Sequence, residues 1–406
     1  MLIRARAVYP VVSPPIDNGA VRIENGQILE VGTFQDLSRT GDTIDDLGEV
    51  TLMPGLVNAH CHLDYTDMAG LIAPPASFLD WITAIIAIKG EWDYSDYARS
   101  WVNGAAQLLN SGVTTVADTE AVPEMLPDIA NATSIRLHSF IELLSVRKLK
   151  PVAALLREAE EWISKSASVS DRFTGGLSPH ALYSTSEELL RAAASDGHRL
   201  SIHVAESDHE DAMFRHAEGP MFNWLQRNGR DMSDCGGLSP VGRLKQLELL
   251  SDRLMAIHCN HLDDQDIEDL GNSGTHVIHC PRSHHYFGHA PFQLNKLTAA
   301  RVNVCIGTDS LASVRGGGKP KPSLNLFSEI RQALDTHPAL TPETAIRMVT
   351  IQPARALGRQ SDLGSIRQGA KADLIAVPGS TPEEIVATKK PLAVMIDGSW
   401  VHSTSR

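Results

Sequence analysis

Two histidines, His60 and His62, stand two apart at the end of the apolar stretch LMPGLVNAHCHLD, residues 52–64. If residues 55–60 form a buried strand bounded by the turn signal Pro54-Gly55, both imidazoles leave its end on one face, as a pair of metal ligands would. A His-x-His pair alone is equally the mark of solvated or satisfied core histidines, so the other ligands must lie downstream. Ionisable residues recur there at the ends of further apolar runs: His180, then His203 with Glu206 beyond it, His258, the group Arg282, Ser283 and His284, and finally Asp309. Each has a bland reading, His203 as a core histidine and Asp309 in GTDS as a helix cap. Their repetition at one strand end after another is what those readings leave unexplained.

His60, His62, His203 and Asp309 supply three imidazoles and a carboxylate, a borderline-hard set suited to one divalent metal, Zn²⁺ or Fe²⁺, with a position open to water. No thiolate accompanies them, which argues against a structural zinc site. A metal so held can lower the pKa of water from about 15.7 toward about 7, so the chemistry needs no Ser or Cys nucleophile. Glu206 lies three residues after His203. On a continuing strand, positions three apart face opposite ways, so the two converge only if the strand has ended and the chain has turned. The abrupt polarity of HVAESDHED fits such an end. A carboxylate there could shuttle a proton from water to a leaving nitrogen. Its alternative is a carboxylate stabilised at a helix N-terminus.

The elements that position these residues are legible as alternation. GLVNAH, VTTVADT, IRLHSFIE, FTGGLSPH, LSIHVAE, LMAIHCN, THVIHC and VNVCIGTD read as buried strands separated by helical stretches such as DYARSWVNGAAQLLNSG and SLNLFSEIRQALDTH. Eight such units make an α/β chain and predict a closed (β/α)₈ TIM-like barrel over residues 54–364, whose strand ends form one catalytic face. An open doubly wound sheet is the alternative, but no Gly-rich dinucleotide fingerprint follows the first strand. Residues 1–53 and 365–406 share short alternating strands and Gly/Asn/Asp turns, predicting a small β-sandwich domain built from both termini. Residues 64–97, with Trp81 and Trp92, form a long insertion after the first strand, placed to act as a lid or pocket wall with Trp81 against substrate. GGGKPKPS, residues 316–323, lacks the G-x-x-x-x-G-K-[ST] pattern of a phosphate loop and reads as plain loop.

Bulk properties narrow the partners. With 406 residues, 42% hydrophobic and 21% charged, the chain is that of a water-soluble globular protein. A net charge of −13 argues against nucleic acid or an anionic membrane. No run approaches the ~20 apolar residues of a membrane span, and no signal-peptide pattern opens the chain. Cys61, Cys235, Cys259, Cys280 and Cys305 show no C-x-x-C spacing and are odd in number, which predicts reduced thiols and a cytoplasmic location. The expected partner is a small molecule, with a homodimer left open.

PGLVNAHCHLD, SPHALYSTS, HVAES, HCNHL and IGTDSLAS, in this order and at these separations, resemble the amidohydrolase superfamily, specifically its deaminase branch acting on bases and nucleosides. The likeness spans nearly the whole chain, including GSIRQGAKADLIAV near its end. The resemblance implies one divalent metal on His60, His62, His203 and Asp309, with Glu206 as proton shuttle and Asp309 also a base. His258 would orient the attacking water and His180 would contact substrate. No obvious lysine ends the fourth strand to bridge a second metal. CPRSHHYFGHAPFQL and SFLDWITAIIAIKGEW resemble deaminases of 6-amino-6-deoxyfutalosine, a step of menaquinone biosynthesis, which implies Arg282 as partner of that substrate's carboxylate. The plainer role for Arg282 is to pair with an acid and hold its loop. In deaminases of adenosylhomocysteine and methylthioadenosine, a Glu after the Trp of the insertion holds the ribose; here Glu91 stands only approximately there. Cyclic amidases and chlorohydrolases of the superfamily are the alternative reaction classes.

Overall fold

The computed structural model describes residues 1–73, 77–147, 149–316 and 321–403. The alternating N-terminal residues form β1 (Leu2–Val8), β2 (Ile16–Glu24) and β3 (Gln27–Thr33), then β4 (Ile44–Asp46) and β5 (Thr51–Pro54). One residue later the barrel begins. Its strands are β6 (Leu56–Cys61), β7 (Val113–Glu120), β8 (Arg136–Leu143), β9 (Phe173–Pro179), β10 (Leu200–Val204), β11 (Leu254–His258), β12 (His276–His279) and β13 (Asn303–Ile306). They pair in sequence order, each parallel to its neighbour. After the last barrel helices the chain returns to the first sheet as β14 (Leu374–Val377), β15 (Ala393–Ile396) and β16 (Ser399–Ser403).

β14 lies antiparallel to β5, so both ends of the chain build one hydrogen-bonded sheet. The predicted sandwich is thus a single mixed sheet of eight strands, and Ile3, Val21, Ile28, Leu374 and Met395 from its two ends share one apolar core. Arg136 of β8 clasps Asp373 through Nε and Nη2 at 2.6 and 3.1 Å, fastening this sheet to the barrel. Val57, Ala117, Phe140, Ile257, Ile278 and Cys305 come from strands on opposite sides of the ring and meet in one cluster, which only the barrel interior allows. Ala356 and Leu357 belong to the same cluster.

The ring closes between β6 and β13, not by a regular ladder but by a bridge of Cys61 with Asp309. The amides of Thr308 and Asp309 donate to the carbonyl of His60 at 3.0 and 3.1 Å. Buried Asn58 completes the seam, giving its Nδ2 to Thr308 Oγ1 and accepting from the Thr308 amide. Gly307 makes this approach feasible, since a Cβ there would lie 2.8 Å from the carbonyl oxygen of His60 and 2.9 Å from its nitrogen. The seam therefore sets Asp309 beside His60.

The insertion after β6 folds as a 3₁₀ turn, Leu63–Met68, and the helix Phe78–Glu91, which leads into the helix Tyr94–Asn110. Residues 74–76 of this insertion, and residues 317–320 of the Gly-rich stretch, lie outside the described residues. Trp81 donates its indole N–H to the carbonyl of Ala312, 3.1 Å away and three residues past Asp309. One side of the helix Phe78–Glu91 is thereby fixed over the catalytic face. Among the described residues, no helix is long and apolar enough to cross a membrane. All five cysteines are free thiols.

Candidate active site

His60 and His62 emerge from the end of β6 with ring centroids 4.9 Å apart, and the ring of His203, from β10, lies 5.1 Å from that of His60. The Nε2 atoms of His60 and His62 stand 3.8 and 3.9 Å from Oδ1 of Asp309. The surroundings fix which nitrogens are free. His203 Nδ1 donates to the carbonyl of His180 at 2.8 Å, which leaves Nε2 as its lone-pair donor, the usual arrangement of a ligating imidazole. His60 Nε2 is buried without a protein partner. Ser313 donates to Oδ2 of Asp309 at 3.0 Å and holds Oδ1 toward the histidines.

The candidate ligand atoms form two triples that share His60: His60, His62 and Asp309, and His60, His203 and His258, each gathered within 4.8 Å. The quartet expected from sequence spans both. His258 joins them at ligand range, because it and Cys259 adopt left-handed backbone, φ 72° and 52°, which turns the end of β11. Asp309 is left-handed too, at φ 52°. Conformations this costly for non-glycine residues gather where surrounding structure holds them to a purpose. Buried imidazole lone pairs facing a carboxylate are the donor set of a divalent cation, so the residues present fit one.

The chain turns before Glu206. β10 ends at Val204, Ala205 takes left-handed φ 49°, and Glu206 comes round until its Oε1 lies 3.4 Å from Nε2 of His258. The following helix starts only at Asp208, capped by Ser207, so Glu206 precedes its first turn. Glu210 accepts the Glu206 amide at 2.9 Å and Asn260 donates to the Glu206 carbonyl at 3.0 Å, fixing the turn. Burial, then the charges of Asp309 and Glu210, push the Glu206 carboxyl well above its ordinary range. Burial holds His60, His62 and His258 well below the ordinary histidine value. The result is a set of neutral bases beside one carboxyl that favours keeping its proton.

The chain matches the amidohydrolase family over residues 51–401. It belongs to that family. Among its relatives is the 5-methylthioadenosine/S-adenosylhomocysteine deaminase of Syntrophobacter fumaroxidans, 30% identical over 94% of this chain and 84% of the relative. Among solved structures, this amidohydrolase superimposes on an adenosine deaminase from Xanthomonas campestris with bound zinc, with TM-score 0.84, 23% identity and coverage of 99% and 92%. It also superimposes on aminofutalosine deaminase of Helicobacter pylori, with TM-score 0.85, 20% identity and coverage of 99% and 100%.

The residues expected to touch substrate divide. His180 lies at the mouth of the amidohydrolase barrel, its ring centroid 4.8 Å from that of His203 and its Nδ1 on Ser184 Oγ at 2.7 Å. Burial, chiefly, lowers its pKa to about 3. Trp81 stacks on Phe78 and meets Phe287 edge to face. Arg282 is engaged elsewhere. Its Nε pairs with the fully buried Glu329 and its Nη2 donates to the carbonyl of Ser323 at 3.0 Å, so the loop-holding role describes it and a substrate carboxylate would have to displace a buried acid. Glu91 is exposed at the far end of the lid helix.

One group escaped the sequence reading. Asp64, Asp118, Glu120 and Glu142 are all buried or nearly so on the β7 and β8 side of the mouth, with Lys89 of the lid 4.0 Å from Glu142. The signal was present, since VTTVADTE and IRLHSFIE also end in acids, the same rule that exposed the histidines.

Proposed function

We propose that this amidohydrolase is a metal-dependent hydrolytic deaminase of an adenosine-type nucleoside. The observation that carries the reading is the meeting of Glu206 with His258, 3.4 Å apart, beside the cluster of His60, His62, His203 and Asp309. A deamination needs one group that gives a proton to the ring nitrogen and then to the departing amine, and a buried carboxyl with raised proton affinity is suited to both transfers. His60, His62, His203 and Asp309 would hold a divalent cation, which would supply an activated water at neutral pH. Zinc in the Xanthomonas relative supports Zn²⁺ here, and the ligand set accepts Fe²⁺ equally.

Each side chain has a part. His258 accepts or gives a hydrogen bond beside Glu206, orienting the water and the ring. Asp309, held by Ser313, takes the proton that leaves the attacking water. Glu206 gives its proton to the ring nitrogen as the carbon bearing the amine becomes tetrahedral, takes back the proton of the hydroxyl added to that carbon as the carbonyl forms, and passes it to the amine, which leaves as ammonia. The proton on Asp309 then returns to Glu206 for the next turnover. His180, anchored on Ser184, presents Nε2 to the substrate. The name of the Syntrophobacter relative supports an adenine nucleoside with a modified 5′ position. 6-Amino-6-deoxyfutalosine, supported by the Helicobacter structure, is one member of that class.

Ammonia release from the zinc-loaded protein tests this across 5′-methylthioadenosine, S-adenosylhomocysteine, adenosine, 6-amino-6-deoxyfutalosine, guanine, cytosine and a chlorotriazine. Turnover of one or more adenine nucleosides at a kcat/KM of about 10⁴ M⁻¹s⁻¹ or more is expected. If no amine reacts, the reading fails and cyclic amides or chlorinated rings become the class to pursue.

A further inference from the structure

The helix that follows Glu206, Asp208–His216, opens on Ser207-Asp208-His209-Glu210, the S-x-x-E sequence of a reciprocal helix cap. Half of that cap forms, with Ser207 Oγ accepting the Glu210 amide at 3.2 Å. In the other half the acid accepts the amide of the cap residue itself. Three other helices of the chain complete it, their acids taking the amides of Asp93, Asp263 and Thr381 at 3.2, 3.1 and 3.3 Å. Glu210 instead reaches past Ser207, and its Oε2 accepts the amide of Glu206 at 2.9 Å. We propose that Glu210 is a positioning residue for the proton shuttle, its side chain holding the turn at Ala205 so that the carboxyl of Glu206 faces His258; the role rests on the deaminase reading above.

Three observations carry it. The first is where the bond lands. Ala205 is left-handed at φ 49°, a conformation that an alanine adopts only when its surroundings hold it there, and this turn brings Glu206 Oε1 to 3.4 Å from His258 Nε2. The second is that the rest of the turn is gripped from the His258 side. The carbonyl of Ala205 accepts from the amides of Asn260 and His261 at 3.0 and 3.1 Å, and Asn260 Nδ2 donates to the carbonyl of Glu206 at 3.0 Å. Asn260 stands two residues after His258, so the loop after β11 holds one side of the turn and Glu210 holds the other.

The third observation is the cost of the arrangement. Glu210 is fully buried, no basic side chain pairs with it among the described residues, and its Oε1 has no hydrogen-bond partner there. A helix cap does not require this. Glu384 takes the amides of both Thr381 and Ser380 from an exposed position, where solvent meets its remaining lone pairs. Burying an acid without a cation destabilises the fold, and a chain keeps such a group where it serves the site more than the stability of the helix.

The test measures kcat, KM and bound zinc with 5′-methylthioadenosine for Glu210→Gln, Glu210→Asp and Glu210→Ala, each alone and combined with Glu206→Gln. Gln offers the same acceptor at the same reach, whereas Asp keeps the charge and falls one methylene short. In Glu210→Asp and Glu210→Ala kcat should drop by about 10-fold or more with KM and zinc unchanged, because a misplaced shuttle loses rate and not binding. Glu210→Gln should recover most of that loss. On the Glu206→Gln background the Asp and Ala changes should cost less than about 2-fold, since the carboxyl they misplace is gone. Losses of equal size on both backgrounds, losses carried by KM or zinc, or an Asp variant as active as the Gln variant would overturn the assignment. If Glu210→Ala does not fold, the contrast of Asp with Gln decides alone. If the wild type releases no ammonia, the deaminase reading falls and amide exchange decides the hold. The Glu206 amide should then exchange about 10-fold faster in Glu210→Asp than in Glu210→Gln, and equal rates would remove the positioning role as well.

Discussion

His60, His203 and His258 at the barrel mouth, and the acids Asp64, Asp118 and Glu120 beside them, are buried alike, and burial drives both sets toward neutrality, the imidazoles downward and the carboxyls upward. They differ in what their remaining lone pairs meet. Asp118 accepts from the Leu63 amide and from the indole of Trp101, each at 3.0 Å, and Glu120 accepts from the Val122 amide at 2.7 Å. Asp118 pins the chain leaving β6 and the helix behind it, Glu120 pins the turn after β7, and the oxygens of Asp64 have no hydrogen-bond partner. The histidines have their outer nitrogens tied back, His203 to a carbonyl and His60 close to Thr119, so their inner nitrogens converge. Depth alone does not make a reactive centre. Lone pairs left free and aimed at one point do.

The largest effect should come from breaking that convergence. His60→Ala removes the atom common to both ligand triples, and metal content by elemental analysis should fall together with activity, beyond the ~100-fold scale of losing an acid-base group. Metal bound at the wild-type level in that variant would mean the converging point lies elsewhere. Glu206→Gln comes next and sharpens the comparison, because it alters proton traffic and leaves the ligands in place. Turnover should drop by about 100-fold with metal content unchanged.

The smallest effect is on the acid side and appears as pH dependence. Burial raises the Asp118 carboxyl from 3.8 to about 7, so the folded protein binds that proton more tightly than the unfolded chain does. The stability it contributes is complete below about pH 4 and is lost as pH rises through about 7. Asp118→Asn cannot ionise. Its melting temperature relative to wild type should therefore climb between pH 4 and pH 8, as followed by circular dichroism. A constant difference over that range would show that Asp118 is already ionised in the fold, and that the acid side stays charged despite its depth.

Much of this was legible because the barrel writes its catalytic face at strand ends, where an apolar run stops on an ionisable residue. His60, His62, His203, Glu206 and Asp309 were found that way, and the turn required before Glu206 is the left-handed Ala205. Contacts between distant segments were not legible. Nothing near Arg282 announces that Glu329, on the helix Leu326–Thr336, reaches back to hold it. The approach of His258 to the ligands depends on a backbone torsion that no spacing rule encodes. The acids of β7 and β8 were visible in the sequence, but strand-end chemistry was sought there among histidines.

Gly307 brings the last barrel strand against the first, so three of the four residues that would hold the metal, His60, His62 and Asp309, come from the two ends of the barrel and meet at its closing seam, where His203 faces them from β10. Occupancy and ring closure are then thermodynamically linked: a cation that binds only the closed ring adds its binding free energy to that of the fold. Removal of metal should loosen this seam before any other part of the barrel. Amide exchange at Thr308 and Asp309, whose N–H groups bond to His60, would report the loss first.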